Sequence, residues 1–315
     1  GSLDVLSVLN PHYKWVTFDG KDTYLNPSKQ RYLINGDKAY IESALICGFT
    51  TKEKDILNSS SYGIGLALKD AFQKGIKYIY LFLGGTGSND GGMGLLSALG
   101  YQFNQNKLKP TSKNMIKIRD ITMPKHPIQF ESVTLLTDVN NPLLGEKGAT
   151  YIFGPQKGGK PEMLHELEKG MENLVSHINH LTTQDNATCS GVGAAGGLGY
   201  PLLGFMDATI KSGIQYISKM SNLEEKIKAY GVVITGEGKI DAQSFDGKVI
   251  HHVIDLCRKH HIPYILICGV NELEDYDDPL CLGIYQLMDF AKDVDESMNQ
   301  SKRVLKRLTR KITYK

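Results

Sequence analysis

The chain has five cysteines, odd in number, widely spaced and without a Cys-x-x-Cys pair, so neither a disulfide scaffold nor a zinc module is expected. It has almost no charge excess. Thirty-six Lys and Arg stand against 34 Asp and Glu, a formal charge of +2, which gives no case for a nucleic-acid or anionic-membrane partner. No apolar run approaches the eighteen or so residues of a membrane span; the longest are short pieces such as 262–270. The sequence opens without a basic region followed by an apolar stretch, so no secretory leader is expected and a cytoplasmic setting is. The nine histidines make no metal constellation. His251-His252 and His260-His261 are adjacent pairs, and neighbours on a helix point about 100° apart.

What the chain does have is glycine: 33 in 315 residues, against an average of about 7%. The glycines cluster at 84–94 (GGTGSNDGGMG), 154–159 (GPQKGG), 191–199 (GVGAAGGLG) and 236–238 (GEG). Separate clusters exclude a collagen-like or low-complexity chain. They mark places where main chain turns sharply or approaches a ligand, and phosphate is the leading ligand class for such loops.

The length suits two domains, and 41% hydrophobic against 22% charged residues is globular composition. Residues 15–19 and 30–43 read as strands, with a hairpin turn at Asn35-Gly36-Asp37. A helix is expected over 62–74, a buried strand over 77–83, and a helix over 92–99. Strand, glycine loop, helix is the right setting for a binding loop. Residues 132–137 form a second buried-strand candidate, and 161–181 the clearest helix, with Leu164, Leu167, Met171, Leu174, Ile178 and Leu181 at three-four spacing facing the core. From about residue 206 helices and strands alternate: 207–230 mostly helical, 231–235 a strand, 248–260 a helix, 262–269 and 283–287 strands, 291–312 an amphipathic helix. Repeated αβ units predict a parallel sheet covered on both faces. About three strands make a thin sheet.

Two standard nucleotide motifs fail on inspection. Residues 154–161 have P-loop spacing, but Pro161 stands where a Ser or Thr must reach magnesium. Residues 191–196 match Gly-x-Gly-x-x-Gly, yet a polar stretch precedes them and no acidic residue follows at the right offset. The loop at 84–92 is more informative. Ser88, Asn89 and Asp90 suit a cap on the next helix, and five glycines exceed what a tight turn needs, so a ligand loop is expected. At 235–241, Glu237 and Asp241 suit magnesium or a hydroxyl proton, and Lys239 and Lys248 suit phosphate. A solvated turn with self-paired charges fits that spacing equally well. Asp138 also ends a buried strand. The basic C-terminus carries an apolar stripe and reads as a docked helix.

Six ordered blocks carry a wider resemblance: Ser61-Tyr62-Gly63, then GGTGSNDGGMGLLSALG from Gly84, TDVNNPLLGEKGA from Thr137, FGPQKG from Phe153, GAAGGLG from Gly193, and ITGEGKIDAQSFDGK from Ile234 to Lys248. In this order they resemble the bacterial glycerate kinase family over most of the chain. Asn140, Lys239 and Ile64 depart mildly from its pattern. The family's opening Asp-Ser-Phe-Lys and Asp-Gly-Gly-Glu-Gly segments have no counterpart. The resemblance therefore implies a missing N-terminal part, which would complete the thin sheet.

The expected fold class is α/β, with two α/β domains. Residues 1–215 form an inserted mixed α/β domain with the glycine-rich loops, and 216–315 the C-terminal half of a Rossmann-like domain. The implied activity is transfer of the ATP γ-phosphoryl group to a hydroxyl of D-glycerate, the 2-hydroxyl favoured over the 3-, with magnesium. The assigned binding set is Gly84, Gly85, Ser88, Asn89, Gly91, Gly92, Lys157, Gly236, Gly238 and Lys239. Asp241 is the first choice of proton acceptor and Asp90 the second; Glu237 and Asp138 are the metal candidates. D-glycerate and ATP are the partners, with neither nucleic acid nor membrane, and a homodimer is left open. The alternatives are a non-catalytic binding or regulatory protein on this scaffold, or a kinase for another small hydroxy acid.

Overall fold

Asn35-Gly36-Asp37 turns the chain as its residues require. In the computed structural model Asn35 pairs with Lys38 across a two-residue loop, with Gly36 at φ +60°. The structure describes residues 1–49, 54–182, 185–241, 249–273 and 275–312. These fall into two compact units, Gly1–Gly213 and Ile214–Lys315.

The first unit is built on a six-stranded sheet in the order β1-β2-β3-β4-β7-β8. Strands β1 (Lys14–Lys21), β2 (Pro27–Asn35) and β3 (Lys38–Glu42) run antiparallel. From β3 onward, β4 (Tyr78–Phe82), β7 (Ser132–Leu136) and β8 (Thr209–Lys211) pair in parallel. Between them, β5 (Gln102–Phe103) and β6 (Ile121–Thr122) form a small separate ribbon. Strand β8 lies in the stretch expected to be mostly helical; three residues are too few to show a period, and pairing with Thr134–Leu136 decides them. The helices expected beside β4 and the first glycine loop form as Tyr62–Gln73 and Met93–Ala98. On helix Pro161–Thr182, Leu164, Leu167, Met171, Leu174 and Ile178 are buried, and Leu181 lies outside the stripe. Burying each such side chain is worth about 1.5–3 kcal/mol before entropy is counted.

The second unit has a parallel sheet in the order β11-β10-β9, from β9 (Val233–Ile240), β10 (Tyr264–Asn271) and β11 (Cys281–Gln286). Its core gathers Ile240, Ile254, Cys257, Tyr264 and Leu266. Two expectations are corrected here. The Gly-Glu-Gly stretch is strand rather than loop, because β9 continues to Ile240 beside β10. The single C-terminal helix is two, Val294–Asn299 and Ser301–Thr309, and Asp293 caps the first through the Glu296 amide. Among the described residues no helix is long and apolar enough to cross a membrane.

Candidate active site

The parallel strands of the first unit end in a row of polar residues: Ser43 after β3, Gly84 after β4, Asp138 after β7 and Ser212 after β8. That edge is where open α/β sheets hold ligands. Ser43 and Thr86 hydroxyls lie 2.5 Å apart, and Ser212 Oγ donates to Asp138 at 2.6 Å.

The loop after β4 is open only at its start. Gly84 and Gly85 are exposed, whereas Thr86 through Gly94 are buried. Asp90 organises the buried part. Its Oδ2 accepts from the Ser61 amide (2.7 Å), the Ser61 hydroxyl (2.9 Å) and the Gly94 amide (2.9 Å), and Oδ1 from the Gly92 amide (3.2 Å). Burial pushes the Asp90 carboxyl upward in pKa, and these donors pull it back. The Ser61 hydroxyl also accepts from the Leu95 amide. The first amides of helix Met93–Ala98 are therefore committed to Asp90 and Ser61. Ser88 and Asn89 do not share the capping expected of them: the Asn89 amide donates to Ser59, and its Nδ2 to Thr150. The Ser88 hydroxyl and Asn89 Oδ1 are buried without a hydrogen-bond partner among the described residues.

Glycine lets the other blocks close on this loop. Gly91, at φ +57°, donates its amide to the Gly196 carbonyl. Gly196 itself sits at φ +68°, where a Cβ would come within 2.2 Å of the Ser88 carbonyl. Lys157 enters the same place, its Nζ donating to that carbonyl at 2.7 Å. The Gly193 amide donates to the Asn141 carbonyl. Five of the six blocks thus meet in one unit.

Lys157 is only 3% exposed. Burial lowers its pKa to about 7, against the pull of Asp90. Lys157 lines a concavity of about 120 Å³ together with Gly84, Gly85, Thr86 and Thr137.

In the second unit the expected phosphate residues lie along β9. Gly236 stands opposite Ile267, and a Cβ there would come within 1.9 Å of the Ile267 carbonyl, so close strand packing accounts for this glycine. Glu237 stands opposite Cys268 and is half-buried. Lys239 bridges Glu272 at 2.7 Å and Asp241 at 3.4 Å. Lys248, expected to help hold phosphate, lies outside the described residues. Among the described residues no cluster of three or more His, Cys, Asp or Glu side chains is arranged for a metal.

Sequence reasoning missed the supporting residues Ser61, Thr150 and Glu168. Glu168, on helix Pro161–Thr182, accepts the Gly145 amide at 2.6 Å, and the Thr150 hydroxyl faces its carboxyl. Ser61 and Gly145 could have been found inside their blocks; Glu168 carries no local signal beyond an acidic residue on an apolar helix face.

A sequence model described as the Glycerate kinase family matches residues 1–314. The glycerate kinase of Halalkalibacterium halodurans is 34% identical over 294 residues, 89% of this chain and 77% of that protein. The glycerate 2-kinase of Escherichia coli is 36% identical over 75% of this chain and 64% of its own length. The Haemophilus influenzae glycerate kinase is 37% identical, over 77% and 66%. The matches therefore span under two thirds of the last two relatives. A crystal structure from Salmonella typhimurium LT2, provisionally assigned as glycerate kinase 2, superposes with a TM-score of 0.72 at 25% identity, covering 98% of this chain and 86% of that one.

Proposed function

The chain belongs to the glycerate kinase family, and from that premise we propose that it transfers the γ-phosphoryl group of ATP to a hydroxyl of D-glycerate, releasing phosphoglycerate and ADP. The 2-hydroxyl is the favoured acceptor, in line with the name of the Escherichia coli relative. One observation supports the reading: five separated blocks are joined by hydrogen bonds around the glycine loop after β4, among them the Lys157–Ser88 contact, at the sheet edge where α/β folds commonly hold ligands.

Phosphoryl transfer needs positioning, cationic charge near the moving oxygens and an acceptor for the hydroxyl proton. Gly84 and Gly85 are proposed to offer backbone, and Lys157 positive charge, in the first unit. Asp90 with its four donors is better suited to holding the loop than to taking a proton, so Asp241 is retained as the proposed acceptor. Gly238 and Lys239 are proposed to meet phosphate oxygens. Magnesium bound with ATP would screen phosphate charge, and it usually keeps only one or two protein carboxylates. Asp138, half-buried at the end of β7, fits that modest demand, and Glu237 is the candidate in the second unit. The reading includes a cytoplasmic setting and neither nucleic-acid nor membrane partner; sedimentation decides between monomer and homodimer.

The test is ADP release by the 315-residue chain with Mg-ATP, with and without D-glycerate, followed by ³¹P NMR of the product. Glycerate-dependent release with phosphate on the 2-oxygen is expected. Release that ignores glycerate, or none at all, overturns the proposal.

A further inference from the structure

The kinase reading does not itself say which part of the chain holds the three-carbon acid, and the concavity beside Lys157 answers by size and charge. It opens where β4 and β7 end, at Gly84 and Thr137, and measures about 120 Å³. A cavity of roughly 150 Å³ accommodates the six carbons of benzene, so this one encloses about five non-hydrogen atoms. Glycerate, with seven, places its carboxylate end and most of its skeleton inside, whereas the nucleoside of ATP does not enter.

Charge points the same way. Among the described residues that line the concavity, Lys157 is the one titratable group. A buried ammonium without a counter-charge is costly, and an entering anion relieves that cost. Among the described residues, the charged groups on the elements around Lys157 include Asp90, on the glycine loop, Glu168, on helix Pro161–Thr182, Asp138, between the lining residues Thr137 and Val139, and exposed Lys54, whose Nζ lies over the Phe49 ring. Asp90 already accepts four donors, and Glu168 faces Gly145 and Thr150. Neither carboxylate lines the concavity. Phe49, Val139 and Phe153 supply apolar wall for a carbon skeleton, and Thr86 and Thr137 supply hydroxyls.

We infer that this concavity is the subsite for the small acid, in which Lys157 takes the substrate carboxylate and the walls exclude the nucleotide. The inference rests on the kinase reading for the identity of the acid. It also separates glycerate from larger hydroxy acids such as tartrate, which would have to project from the mouth.

The experiment is calorimetric titration of the whole chain with D-glycerate alone, without nucleotide, at pH 8 in two buffers of different ionisation enthalpy. Because the free Lys157 is largely neutral there and the bound carboxylate favours the ammonium, binding should take up a substantial fraction of a proton. Affinity should fall as pH rises above about 7. Lys157→Arg, charged at every pH used, should abolish the uptake, and methyl D-glycerate should bind at least tenfold more weakly. As a variant independent of Lys157, Gly84→Val adds bulk at the rim, where a Cβ meets nothing within 4 Å. It should raise KM for glycerate tenfold or more, with the thermal melt of the variant showing that the fold is kept. Glycerate binding without proton uptake, together with an unchanged glycerate KM in Gly84→Val, overturns the subsite even if turnover is intact. Absence of glycerate-dependent turnover in the unaltered chain instead overturns the kinase reading.

Discussion

Asp90 accepts hydrogen bonds from both the amide and the hydroxyl of Ser61, a residue 29 positions earlier in the chain. The pair ties the start of helix Tyr62–Gln73 to the start of helix Met93–Ala98, with the glycine loop held between them. Asp90→Asn would remove the charge and turn an amide NH₂ toward backbone N–H groups that can only donate. A loss of about 3 kcal/mol or more is expected, since bonds to a buried charge are the strong ones. Urea unfolding measures it, and a loss below about 1 kcal/mol would return Asp90 to the list of proton acceptors.

Gly196 and its neighbour Ala195 both have positive φ, +68° and +55°, yet only one of them is sterically confined. Gly196→Ala would set a methyl 2.2 Å from the Ser88 carbonyl and 3.0 Å from Lys157 Nζ, so it should destabilise the first unit by about 3 kcal/mol and impair activity. Ala195→Gly relieves left-handed strain and adds chain entropy, which should leave stability within about 1 kcal/mol. Thermal melts of the two variants, read side by side, check the contrast.

The lowered pKa of Lys157 fixes the sign of a stability profile. Its folded value, about 7, lies below the ordinary lysine value of 10.5, so between those limits the unfolded chain binds more protons. Wild-type stability relative to Lys157→Met should therefore rise with pH from about 7 to about 10, with a slope approaching 1.4 kcal/mol per pH unit, and be flat below. Chemical denaturation at pH 6, 7.5 and 9 is sufficient. A difference independent of pH means the lysine is solvated in the folded protein.

Asp241→Asn removes the proposed proton acceptor without changing size. A fall in kcat of about 10²–10⁴, with KM for glycerate and ATP little altered, is expected from steady-state kinetics. Near wild-type kcat excludes Asp241 from that role.

Two glycines of one strand should behave differently. Gly236→Ala meets the Ile267 carbonyl and should destabilise the second unit by more than about 3 kcal/mol. At Gly238 a Cβ meets nothing within 4 Å, so Gly238→Ala should fold normally. Its KM for ATP then reports directly on the proposed phosphate contact; an unchanged value removes Gly238 from it.

The elements with strong periods were legible in the sequence: the hairpin at Gly36, the apolar run that became β4, and the stripe on helix Pro161–Thr182. Strand β8 was not, because three residues carry no period and tertiary pairing overrides local preference. The Gly-Glu-Gly stretch misled for a related reason. Glycine signals close approach of backbone, and at Gly236 the approaching group is the neighbouring strand rather than a ligand. At the glycine loop the blocks marked the right region, but which atoms face outward depended on partners such as Ser61 and Gly196, far away in sequence.

The contacts that build this loop join residues 29, 69 and 105 positions apart: Ser61 with Asp90, Ser88 with Lys157, and Gly91 with Gly196. Pairings so distant contribute entropy cost early and stabilisation late, which slows folding. The loop therefore gains its final shape only when most of the first unit has assembled. A nascent chain that has emerged past Leu95 but not yet to Gly196 holds every residue of the Asp90 knot and yet lacks the segment that closes over it. Assembly of the loop is thus a checkpoint on completion of the first unit, reached as a whole or not at all.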